Sequence, residues 1–319
     1  MENALNVLLK NYIDHVEGII AVAIVDKNGL IIASEHKEEP DVDSDAVMGA
    51  ISSMIDSYIE RIKREFDTES GFFNITTTGD KKFVFCSQGQ NSILTTLVQP
   101  ETPDVKLKVY SEHIAVKIEL ILERKENVSL EIPEIIKVLS QTRSGKFPEG
   151  EFSTKLVLIG DFQVGKSSLI RRFVKKKFKE SYTATIGVDI TKHTYKFSDK
   201  TIVNFIIWDV AGQADFCNYR KNFYNGAHCA IIVIDRTRER TLLNVEKWHD
   251  DILDSIEDNI PMMIVGNKSD LTDKIVVTEE DIKEISNKFG YNYILTSART
   301  GENVHDAFAY MASKVLGRK

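Results

Sequence analysis

Cysteine is scarce: Cys86, Cys217 and Cys229 are the 3 in 319 residues, and their spacing fits neither a metal cluster nor a disulfide framework. Each is expected to be a buried structural thiol. Long apolar runs are also missing. The longest candidates are strand-sized pieces such as Ile19–Val25, whereas a membrane-crossing helix needs roughly 18 residues. The first residues lack the basic and apolar stretches of a secretory signal, and the last ones lack a prenylation cysteine. The expected location is cytoplasmic, with neither integral nor lipid-anchored membrane association. Net positive charge is absent too. The total is −7, residues 1–150 carrying 16 Lys and Arg against 25 Asp and Glu, and residues 151–319 carrying 25 against 23. Holding a phosphate backbone needs a concentrated basic face, so nucleic acid is not an expected partner.

What is present points to two packed domains. A hydrophobic share of 42% excludes a disordered chain, and 319 residues amount to two domains at roughly 150 each. The breakers Pro133, Ser144, Gly145, Pro148 and Gly150 cluster between two patterned regions. A first domain is therefore expected over 1–126, a linker over 127–151 and a second domain over 152–319. Ile135, Ile136, Val138 and Leu139 suit a short docking helix within that linker. In the second domain the apolar runs Lys155–Gly160, Asn204–Val210, Cys229–Asp235, Pro261–Asn267 and Asn292–Ala298 alternate with amphipathic stretches. Continuous apolar strands are buried on both faces, and helical crossovers join them. The expected fold class is α/β, a doubly wound and mostly parallel sheet. One antiparallel hairpin is expected, turning at 198–200.

Directly after the first of these strands, Gly160-Asp161-Phe162-Gln163-Val164-Gly165-Lys166-Ser167 fits G-x-x-x-x-G-K-[ST] and leads into a helix. The loop and helix start, Gly160, Asp161, Val164, Gly165, Lys166, Ser167 and Ser168, would offer backbone N–H groups and a positive dipole end to α- and β-phosphates. Lys166 adds a cation for the β- and γ-oxygens, and Ser167 a hydroxyl for Mg²⁺. Asp209 stands at the carboxyl end of a strand, where ligands gather in such sheets, and its carboxylate suits the Mg²⁺ shell. Gly212 can bring an N–H to a γ-phosphate, and Gln213 can orient an attacking water. In Asn267-Lys268-Ser269-Asp270 the last carboxylate can accept guanine N1–H and N2–H₂ together, a donor pair that adenine lacks. GTP and GDP are the expected ligands. Ser297, Ala298 and Arg299 would add backbone contacts to the base oxygen, and Thr185 a second Mg²⁺ hydroxyl from a loop ordered by the γ-phosphate. Lys166, Thr185 and Gln213 are the residues expected to act on the reaction. Taken singly, each motif could be an ordinary turn; their joint order along the chain carries the reading. The basic run Arg171, Arg172, Lys175, Lys176, Lys177 and Lys179 reads first as a solvated helix face.

From Phe152 to Lys319 the chain resembles the Ras-superfamily small GTPases of the Rab type. The resemblance rests on Gly160–Leu169, Thr185–Asp189, Trp208–Gln213, Asn267–Asp270 and Ser297–Arg299, in that order. It implies the P-loop GTPase fold, hydrolysis of GTP to GDP and phosphate with Mg²⁺, and protein effectors or regulators as partners. It also implies that Phe178 packs edge-on against guanine. Phe162 and Gln163 depart from the small residues usual in the family. Phe162 falls where bulk crowds the γ-phosphate, so hydrolysis is expected to be slow without an activator. A GTP-binding scaffold with negligible turnover is the second reading.

The first domain opens with Leu5, Leu8, Leu9, Tyr12 and Val16 at helical spacing, followed by two strands joined at Asn28-Gly29. A helix is expected over about 44–66, with Val47, Ile51, Met54, Ile55, Tyr58 and Ile62 on one face. Three strands and a helix over 107–122 complete the order α-β-β-α-β-β-β-α. With Val16–Ser34 near its start, this order resembles the roadblock family, a smaller, profilin-like α/β domain. A longin domain, which opens with strands, is the competing pattern. The roadblock resemblance implies a homodimer through this domain and a platform that regulates the GTPase. His15, His36 and His113 are scattered and form no catalytic constellation.

Overall fold

Asp26 sets the first turn, its carboxylate accepting the N–H groups of Asn28 and Leu30 at 2.8 Å each. Strand β1 (Ile19–Val25) thereby folds back on β2 (Ile31–His36). The computed structural model describes residues 1–37, 46, 48–57, 71–89, 92–125, 127–143, 147–179, 185–198, 200–212, 222–256 and 259–318. The chain divides into two units, Met1–Ser144 and Gly145–Lys319.

In the first unit, β3 (Phe72–Thr78), β4 (Lys81–Ser87) and β5 (Ile93–Val98) join the hairpin in one antiparallel sheet of order β2-β1-β5-β4-β3. Helix α1 (Glu2–His15) buries Leu5, Leu8, Leu9 and Tyr12, the 3.6-residue stripe seen in the sequence. Tyr12 also shares a 2.8 Å hydrogen bond with Ser111 of α3 (Asp104–Leu122), which begins three residues before the expected start. Helix α2 is described over 48–57, the rest of the expected 44–66 segment lying largely outside the described residues. Met48 and Ser52 form its buried side, while Met54 is 74% exposed, a departure from the expected apolar face. Six residues past Met48, the helical rotation carries Met54 to the outer side. After α3 the chain is held down by Lys117, whose Nζ donates to the carbonyls of Ser129 and Glu131 at 2.6 Å each. Helix α4 (Glu134–Arg143) then buries Ile135, Ile136 and Leu139 and packs against α3.

The second unit is built on six strands: β6 (Gly150–Ile159), β7 (Val188–Lys196), β8 (Thr201–Val210), β9 (Cys229–Asp235), β10 (Met262–Asn267) and β11 (Asn292–Leu295). Their order is β11-β10-β9-β6-β8-β7, parallel except for the β7–β8 hairpin. Every residue of β9 and β10 is buried, as continuous apolar runs require of strands covered on both faces. Among the described residues, the helices between strands are α5 (Lys166–Lys175), α6 (Glu239–Leu243) with α7 (Val245–Leu253), and α8 (Glu279–Phe289); α9 (Val304–Leu316) follows β11. A Thr278–Asp281 capping box starts α8, and Gly290 at φ +68° ends it. Cys86 and Cys229 are buried free thiols, as expected, and Cys217 lies outside the described residues. Among the described residues no helix is long and apolar enough to cross a membrane.

Candidate functional site

The loop between β6 and α5 is shaped by a close approach. Gly165 has φ +102°, and a Cβ added there would stand 2.2 Å from Asn267 Nδ2. That amide donates to the Val164 carbonyl at 2.8 Å, and Asn267 Oδ1 accepts the Ala298 N–H at 3.1 Å. One buried side chain thus ties this loop to the loops that follow β10 and β11. Gly165→Ala is expected to weaken nucleotide binding by about tenfold or more, since left-handed strain costs on the order of 1–3 kcal/mol and the Asn267 bond is displaced. Titration with a fluorescent guanine nucleotide measures it.

Lys166 is buried, and its ammonium donates to the carbonyls of Gly160 (2.7 Å) and Asp161 (3.0 Å), lying across the loop it follows. The Asp161 carboxylate is employed elsewhere, accepting Asn244 Nδ2 and Trp248 Nε1 at 2.7 Å each. Gly212, after β8, packs so tightly on the same loop that a Cβ would meet Gly160 O at 2.5 Å and Phe162 N at 2.6 Å. No other residue type keeps that approach.

Ser167, Thr185 and Asp209 converge. The Ser167 hydroxyl donates to Asp209 Oδ2, and Thr185 Oγ1 lies 3.1 Å from Ser167 Oγ and 3.3 Å from Asp209 Oδ2. Asp209 Oδ1 is buried with no hydrogen-bond partner among the described residues. Burial pushes the Asp209 carboxyl up, opposed by the Ser167 hydrogen bond and the Lys166 charge. An all-oxygen donor set with an orphaned buried carboxylate oxygen fits a hard divalent cation such as Mg²⁺.

In the loops that follow β10 and β11, Ser297 Oγ donates to Asp270 Oδ1 at 2.7 Å and so fixes the carboxylate's rotation. Arg172 turns inward from α5, its Nε donating to the Ala298 carbonyl at 2.9 Å and its Nη2 to the Arg299 carbonyl. The basic run is therefore not solely a solvated face. These groups surround a cavity of about 540 Å³. Of the expected residues, Gly165, Lys166, Ser167, Ser168, Phe178, Thr185, Gly212, Asn267, Lys268, Asp270, Ala298 and Arg299 line it. Gly160, Asp161, Val164, Asp209 and Ser297 stand behind that lining and hold it, and Gln213 lies outside the described residues. Phe162 and Gln163 also line the cavity, Gln163 with φ +63° in the left-handed region. Sequence reading missed Arg171, Lys179, Ala211 and Leu271 in the lining and Asn244, Trp248 and Arg172 as braces. Arg172 and Trp248 lie on helices whose apolar period gives no local sign of a polar task, and Asn244 stands at the junction of α6 and α7.

Residues 155–317 match the Ras family. The chain belongs to the Ras family. Its Ras-family domain is 42% identical over 171 residues to the GTP-binding protein YPTM2 of Zea mays, a match covering 54% of this chain and 84% of that protein. The chain is thus a GTP-binding protein of the Ras and Rab type. Residues 5–98 match the Roadblock/LC7 domain, which decides for roadblock over longin in the first unit.

Proposed function

We propose that this Ras-family chain is a molecular switch that binds GTP with Mg²⁺, hydrolyses it to GDP and phosphate, and is dimerised or regulated through its roadblock domain. What carries the reading is the convergence of Ser167 and Thr185, on the same cavity that Lys166 and Asp270 line, with Asp209 behind them. Water attacks the γ-phosphorus; a new P–O bond forms, the bond to the β–γ bridging oxygen breaks, and GDP leaves with the electron pair. Lys166 neutralises charge on the phosphates, backbone N–H groups of the loop hold their oxygens, and Gln213 orients the water. Ser167, Thr185 and Asp209 would hold Mg²⁺, which would supply positive charge to neutralise the phosphates. No side chain forms a covalent intermediate, because positioning and electrostatics suffice for phosphoryl transfer.

Titration calorimetry of the full chain tests the reading. GDP and GTP are expected to bind, ATP not, and chelating Mg²⁺ is expected to speed nucleotide release. Absence of any heat with GDP and GTP would overturn it. The second reading, a GTP-binding scaffold with negligible hydrolysis, is favoured by one observation, the Phe162 residue lining the cavity. Single-turnover phosphate release separates the two: measurable release supports the switch, and none over hours supports the scaffold.

A further inference from the structure

Asp235, the last residue of β9, is 0% exposed and lines no part of the cavity, yet it binds two cations. Its Oδ2 accepts Arg238 Nε and Lys268 Nζ, both at 2.7 Å, and its Oδ1 accepts the Thr237 N–H at 3.0 Å and the Thr237 hydroxyl at 2.7 Å. Burial raises this carboxyl, but the hydrogen bonds from Lys268 and Thr237 and the Lys268 charge outweigh it and hold it below the ordinary value. Asp235 is therefore an anion with each oxygen committed. The far end of Arg238 reaches the phosphate loop, where Nη2 donates to the Phe162 carbonyl at 2.8 Å.

We propose that Arg238 is a positioning residue for the phosphate loop, braced by buried Asp235 and joined through it to the base-side Lys268. A guanidinium is suited to this because its rigid fork spans two acceptors at once, which a lysine ammonium cannot do in the same geometry. The peptide group that carries the Phe162 carbonyl also carries the Gln163 N–H. A charged donor on that oxygen polarises the peptide and makes the N–H a stronger donor. Gln163 lines the cavity and keeps φ +63°, a conformation that persists for a non-glycine residue only when its surroundings hold it. Arg238 supplies that hold from outside, on the phosphate side. Asp235 meanwhile fixes Lys268, itself at φ +68°, on the base side. Both ends of the nucleotide site thus share one buried carboxylate.

This inference rests on the nucleotide reading above, and its signature differs from plain loss of fold. Since Arg238 acts through the loop facing the phosphates, its removal should matter more as phosphates are added. In the full chain, Arg238→Ala is expected to accelerate GDP and GTP release about ten- to hundredfold, in keeping with a lost charge-assisted hydrogen bond, while GMP affinity changes little. Arg238→Lys should recover only part of the loss. The thermal unfolding temperature of the nucleotide-free variants should fall only modestly, because Lys268 and Thr237 still hold the buried Asp235 carboxylate. Release rates unchanged in both variants would overturn the proposal, as would equal weakening toward GMP, GDP and GTP. If the unaltered chain takes up no GDP, the nucleotide reading fails first. If Arg238→Ala does not fold, Arg238→Gln, which keeps length and polarity, is measured against the same outcomes.

Discussion

Asp270→Asn is expected to lower GDP affinity by about two to four orders of magnitude, because two hydrogen bonds to a charged acceptor contribute roughly 1.5–3 kcal/mol each. The carboxylate has no donor of its own, so both guanine hydrogens can meet it. An amide in its place points an NH₂ at one of them. Ser297 donates to Asp270 Oδ1, so the carboxylate is oriented before any base arrives. The variant should fold, since Ser297 Oγ can still donate to the amide oxygen. Xanthine carries a carbonyl where guanine has its amino group, so the amide of the variant suits xanthine. Calorimetry with GDP and the xanthine nucleotide should show the preference inverted. Unchanged guanine preference would remove Asp270 from base recognition.

Phe162→Gly is the second large effect, and its sign is a gain. Phe162 lines the cavity within the loop that would hold the phosphates, and Gly212, which lines the same cavity, packs closely on the Phe162 backbone. A displacement of about 1 Å in a reacting arrangement can cost about a hundredfold in rate. Removing the ring is therefore expected to raise single-turnover GTP hydrolysis by about ten- to hundredfold with little change in GDP affinity. The Arg238 bond goes to the Phe162 carbonyl and survives the change. A rate within twofold of the unaltered chain would show that the ring does not obstruct the reaction.

Much of this was legible in the sequence because the signals are local. Gly160 to Ser167 is a continuous stretch whose spacing fits the pattern expected of a loop around phosphates, and β9 and β10 declare double-sided burial by being apolar throughout. The Asn28-Gly29 turn and the Leu5–Tyr12 stripe were equally plain. The braces were not. Asn244 and Trp248 reach Asp161 across 83 and 87 residues, and Arg172 reaches Ala298 across 126. Such pairings arise only after the sheet has brought strand ends together, and no periodicity encodes them. Met54 shows a milder failure: helical spacing with Ile51 and Ile55 puts it on the apolar face, and the structure leaves it exposed.

The tether from Trp248 to Asp161 gives the molecule a built-in optical label. The chain has 2 tryptophans. Trp248 donates its indole N–H to the phosphate-loop carboxylate, and Trp208, with the Lys155 ammonium 3.7 Å from its ring centre, immediately precedes Asp209. Indole emission is sensitive to the hydrogen bonding and charge around the ring. Nucleotide loading and discharge are therefore expected to change the ultraviolet fluorescence of the unlabelled chain, with each Trp→Phe replacement telling which ring reports.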